Sequence, residues 1–133
     1  MKKIKNYKFS YPKDIRFLHI MREDMKRELY DKKELNNILF ITGEIFTNFI
    51  RHTKSEKNSI LNVKISFSEK HTELEFVYKD NSYKELNIIA PDMKKLPSGG
   101  YGLFMIKKMA VDFKIDFSEK DSLIFMKIKI KKK

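Results

Sequence analysis

Apolar residues recur along this chain with two periods, helical first and then alternating. After a short strand expected around 7–9, Pro12 and Asp14 mark a helix start. Ile15, Leu18, Met25 and Leu29, with Arg22 among them, then fall on one face of a helix predicted over 13–29. Asp31 is placed to cap a second helix over 32–52, whose stripe is Leu35, Ile38, Leu39, Ile45, Phe46 and Phe49. The period then falls to two. Leu61, Val63, Ile65 and Phe67 alternate with Asn62, Lys64, Ser66 and Ser68, the pattern of a half-buried strand. The turn "EKHT" leads to a partner strand over 73–79 with Leu74, Phe76 and Tyr78 on one face, which makes a hairpin.

Residues 80–98, with Pro91 and Pro97, form a long connection of the kind that is commonly functional. "SGGYG" opens a third helix over about 103–111, with Leu103, Ile106, Lys107 and Ala110 on its inner side. Strands over 113–117 and 123–130 close the chain, and 130–133 reads as a basic tail. Consecutive antiparallel pairs rule out a doubly wound parallel sheet. One-sided alternation leaves one sheet face for helices and one for water, so the expected fold is a single α+β domain of two layers, residues 1–133.

Composition narrows the function classes. An apolar fraction of 41% with eleven Phe supports a packed core. The chain has no cysteine, which excludes a disulfide framework, a thiolate metal site and a Cys nucleophile, and suits a cytoplasmic location. "MKKIKNYKFSYPKD" lacks the apolar run of a secretory signal, and no stretch is long and apolar enough for a membrane span. A net charge of +11 invites nucleic acid as a partner. Against it, only four of the 29 basic residues are Arg (Arg16, Arg22, Arg27, Arg51), and the lysines are interleaved with 18 acids, as on a solvated surface.

Three stretches carry candidate chemistry. "GEIFTNFIRH", residues 43–52, stacks Glu44, Asn48 and His52 one turn apart at the border of the second helix's apolar stripe. Such a row either walls a cleft or solvates the helix flank. Gly99, Gly100 and Gly102, three of the four glycines, precede the third helix. There, exposed N–H groups and the helix dipole favour an anion, although an ordinary loop-to-helix junction has the same composition. Asp80 ends a strand, where its carboxylate can accept a ligand's amino hydrogen or simply form the turn that "DNS" suggests.

The order of these features resembles that of the GHKL ATPases, the superfamily of gyrase, histidine kinases, a chaperone and a mismatch-repair protein. Within it, "EIFTNFIRH" and "GGYGLFMI" are similar to the motifs of the small anti-sigma factor serine kinases, and the elements correspond from about residue 5 to 130. The resemblance implies a Bergerat-type sandwich with a mixed, mostly antiparallel sheet and helices on one face. It further implies ATP with Mg²⁺ as cofactors. Asn48 would ligate the metal, Glu44 would orient or deprotonate the attacking hydroxyl or water, and Asp80 would bind the adenine amino group. Gly100, Gly102 and Leu103 would meet the triphosphate, and 84–99 would be a lid. The implied partners are a sigma factor and a small anti-sigma factor antagonist, with a possible homodimer. The family's D-x-G motif is Asp80-Asn81-Ser82 here, with Tyr83 next, so a side chain stands where backbone normally nears the base. That departure keeps a second reading open: a non-catalytic binding module on the same fold.

Overall fold

The structure, a computed structural model, describes residues 5–53, 58–81 and 100–132. Eight elements follow one another: β1 (Lys5–Pro12), α1 (Arg16–Glu28), α2 (Leu35–His52), β2 (Ile60–Phe67), β3 (His71–Lys79), α3 (Gly100–Met109), β4 (Ala110–Ser118) and β5 (Leu123–Lys131). The five strands form one sheet in the order β1-β2-β3-β5-β4, and every described pairing is antiparallel. The fold is therefore α+β, as expected, with a wholly antiparallel sheet among the described residues. Since β3 and β4 both run antiparallel to β5, they point the same way with β5 between them. The β3–α3–β4 passage must consequently carry the chain across β5.

The period-two pattern produces the core directly. Leu61, Val63, Ile65 and Phe67 of β2, Leu74, Phe76 and Tyr78 of β3, and Ile124, Met126, Ile128 and Ile130 of β5 are all buried on one face. Against them lie Met21, Met25 and Leu29 of α1 and its end, Ile38, Ile41, Ile45, Phe46 and Phe49 of α2, and Ile106 of α3. The opposite sheet face carries charge. There Lys127 bridges Glu73 and Glu75 at 3.9 and 3.5 Å, across strands that place these residues side by side.

Several local expectations shift. Ile15 is 51% exposed because it precedes α1, which begins at Arg16 rather than at 13, and Met21 takes a core place on the face that also buries Met25. Asp31 does not cap α2: the helix begins at Leu35, after turns closed by Lys32 N–H on Leu29 O and Leu35 N–H on Lys32 O. Lys107 is exposed rather than inward, and Ala110 belongs to β4, which follows α3 without a turn. Ile130 is buried and Lys131 pairs with His71, so these two residues belong to the sheet rather than to a tail. The connection 82–99, including Ser82, Tyr83 and the expected lid, lies outside the described residues.

One half-buried polar contact ties the edge strand to α1. The Tyr11 hydroxyl donates to Asp24 Oδ2 at 2.6 Å, and Tyr11 is 5% exposed. Burial, the hydrogen bond to Asp24 and that residue's charge together push the phenol well above its ordinary 10.0. A folded pKa raised above the unfolded one gives stability that is complete below about pH 10 and lost as pH rises toward the folded value. Tyr11→Phe should cost about 1–2 kcal/mol near neutrality, where Asp24 keeps Arg27 at 3.0 Å but loses its uncharged donor. The same variant should flatten the fall of melting temperature between pH 10 and 12, a difference that calorimetric scans in matched buffers would show.

Candidate functional site

Helix α2 is the common wall of the candidate site. Its apolar stripe anchors it by rings: Phe46 meets Tyr11 edge-on at 6.4 Å, and Phe49 meets Tyr78 at 5.4 Å. The second contact places the end of β3, and so Asp80 two residues beyond Tyr78, beneath the C-terminal half of α2. Asp80 is 5% exposed, and its N–H donates to Ser122 O at 2.9 Å in the turn between β4 and β5. Ser122 holds a left-handed φ of 53° in this turn.

One turn toward the start of α2, the first turn of α3 packs against the same wall. Gly102 is buried, and a Cβ built on it would sit 1.9 Å from Glu44 Oε2. The Glu44 carboxyl group therefore occupies the space that any other residue at 102 would fill. Both expected motifs thus meet in space. Gly100 and Gly102, read as a loop before α3, are in fact its opening, the first and third helical residues, and Gly99 lies outside the described residues. Leu103 is partly buried against the core beside them.

Asn48 lies between these two contacts, one turn after Glu44 and one residue before Phe49. Its Nδ2 is buried without a hydrogen-bond partner. The threonines of the same helix are satisfied within it: Thr42 Oγ1 donates to Ile38 O and Thr47 Oγ1 to Gly43 O, each at 2.8 Å. Among the described residues the other unpartnered buried side-chain atom is Thr72 Oγ1, eight residues up β3 from Asp80. An unmet donor in the middle of a packed helix face costs stability, and Asn48 thus marks a place where a polar ligand would find a partner. His52 ends α2, and its backbone alone is described.

On its other flank, Glu44 borders a cavity of about 200 Å³ between α1 and α2, lined also by Leu18, Arg22, Phe40 and Thr47. The guanidinium of Arg22 lies along α2 there, with Nη1 3.7 Å from the position of a Gly43 Cβ. The border position that periodicity assigned to Glu44 therefore stands between two neighbours, the first turn of α3 and this cavity. Spacing along α2 could not reveal the second one, because its other wall is α1.

A family model for the histidine kinase-like ATPase domain matches residues 12–128. The chain belongs to the histidine kinase-like ATPase family. ATP is the ligand class that comes with that membership. Among curated proteins none matches the chain. The matched range runs from the end of β1 into β5, so every element that builds the Glu44, Asn48 and Asp80 wall falls within the histidine kinase-like domain. No helix among the described residues is long and apolar enough to cross a membrane.

Proposed function

We propose that this histidine kinase-like protein is an anti-sigma factor-type regulator. It transfers the γ-phosphoryl group of ATP to a serine or threonine of a small antagonist and holds a sigma factor by surface contact, in the cytoplasm. The observation that carries the reading is the meeting of Glu44 with the first turn of α3, with the unpartnered amide of Asn48 one helical turn away. In this assignment Asp80, buried at the end of β3, accepts a hydrogen from the adenine amino group. Gly100, Gly102 and Leu103 present the opening backbone of α3 to the triphosphate. Glu44 takes the proton of the acceptor hydroxyl as its oxygen bonds to the γ-phosphorus and the bond to ADP breaks.

The residues fit Mg²⁺. Among the described residues no group of three or more His, Asp or Glu could hold a metal, so Asn48 would bind it jointly with phosphate oxygens and water. The amide oxygen suits this hard cation, and Nδ2 remains free to donate to a phosphate oxygen. Bound there, the ion would supply positive charge to the phosphates.

The test is transfer of labelled phosphate from ATP to serine or threonine of small proteins encoded beside this one. Phosphorylation that requires Mg²⁺ and fails in Glu44→Gln is the expected result. Absence of transfer to every co-encoded candidate, with ATP bound, would remove the kinase assignment. The Asn81-Ser82 sequence after Asp80 favours the second reading, partner binding without catalysis, and that reading predicts weakened or lost nucleotide binding and no transfer.

A further inference from the structure

We infer that Gly102 is a positioning residue for Glu44: the missing side chain at 102 is the slot that holds the Glu44 carboxyl group. The inference rests on the proposed role of Glu44 as the group that takes the acceptor's proton. A Cβ at 102 would lie 1.9 Å from Oε2, 2.6 Å from Cδ and 3.1 Å from Cγ of Glu44. Real carbon atoms do not approach that closely, so an alanine at 102 and the observed Glu44 rotamer exclude each other.

Which side yields is a matter of stiffness. The carboxyl group ends a side chain with three rotatable bonds, whereas the position of 102 is fixed by a helix whose Ile106 is fully buried. The methyl group would therefore drive the carboxyl group into another rotamer and leave α3 where it is. Alanine is also the better helix former, so the fold has no reason to suffer. The glycine next to Glu44 in sequence behaves differently. A Cβ at Gly43 meets Arg22 Nη1 at 3.7 Å, an ordinary contact. Gly102, 58 positions away in the chain, thus constrains Glu44. Its role would then be to aim a proton acceptor, beyond any close approach of backbone to phosphate.

The two roles make different predictions for Gly102→Ala. Aiming the carboxyl group predicts a kcat for ATP turnover about tenfold lower, with KM and the calorimetric Kd for Mg·ADP within about threefold of wild type. Gly43→Ala serves as the control and should turn over normally. In a Glu44→Gln background, followed in single turnovers with labelled ATP, adding Gly102→Ala should change the rate no further, since one defect already contains the other. Without nucleotide, Glu44→Ala should raise the melting temperature of Gly102→Ala more than that of the wild type, because it removes the less favourable rotamer that the methyl group imposes on Glu44.

Loss of Mg·ADP binding in Gly102→Ala, full kcat in that variant, or rate losses that multiply in the double variant would each overturn the inference. Wild-type protein that fails to bind Mg·ADP, or Glu44→Gln at full rate, would instead overturn the site assignment beneath it. Those results are read from different samples, so the two failures are distinguishable.

Discussion

Replacing Asn48 with alanine is expected to lower Mg²⁺-dependent ATP turnover by about 10²–10³-fold, the usual loss when a group that stabilises developing charge is removed. The nucleotide-free protein should melt no lower than wild type. The sign of the second effect follows from the helix itself. Asn48 Nδ2 is buried without an acceptor, and an unmet buried donor costs about 1–3 kcal/mol. Alanine deletes that donor and favours the helix by several tenths of a kcal/mol relative to asparagine. Lost packing of the partly buried side chain offsets some of the gain, leaving a net change near zero. A residue whose removal is harmless to the fold and severe for turnover is held for its ligand. Thermal melting of the apo protein, with turnover titrated against Mg²⁺, checks both halves. Turnover that keeps its Mg²⁺ dependence in Asn48→Ala would put the metal elsewhere.

The strands were legible because alternation is local: Leu61 to Phe67 and Leu74 to Tyr78 point inward as the sequence pattern requires. Their order in the sheet was not. Nothing near Leu123 signals that β5 inserts between β3 and β4, because that pairing matches residues some 50 positions apart, such as Phe76 with Met126. Helix ends failed for two reasons. Asp31 has the chemistry of a cap, yet α2 starts only at Leu35, once the chain has turned and Glu34 is buried. Gly100 and Gly102 have the lowest helix propensity of ordinary residues and so read as loop, yet they form the first turn of α3.

That second error and the site share one cause. Glycine stands at 102, inside a helix, where any Cβ would meet the Glu44 carboxyl group. The motifs themselves were visible as residue types in a set order. What no spacing rule contained was their contact, the cavity beside Arg22, and the missing partner of Asn48.

Asp80→Asn should weaken Mg·ADP binding by about 10²-fold while preserving the fold. The amide is isosteric with the carboxylate, and the backbone bond from residue 80 to Ser122 O is untouched, so β3 and the β4–β5 turn stay joined. What changes is the polarity presented to the base. A carboxylate offers only acceptors to the adenine amino group, and a hydrogen bond to such a charged group contributes about 1.5–3 kcal/mol. At 1.4 kcal/mol per decade this corresponds to roughly one to two orders of magnitude in Kd. An asparagine that turns its NH₂ toward the base adds donor–donor repulsion, which takes the loss toward the upper end. That same NH₂ would suit the carbonyl oxygen that guanine carries in place of the amino group. The variant should therefore narrow the preference for ADP over GDP, a change of specificity that simple damage to the site would not produce. Calorimetric titration of both nucleotides into both proteins decides the matter. An ADP affinity unchanged in Asp80→Asn would move the adenine away from the end of β3. No saturable heat from either protein would leave a wall of Glu44, Asn48 and Asp80 that binds no nucleotide, and would favour the partner-binding reading that Asn81-Ser82 supports.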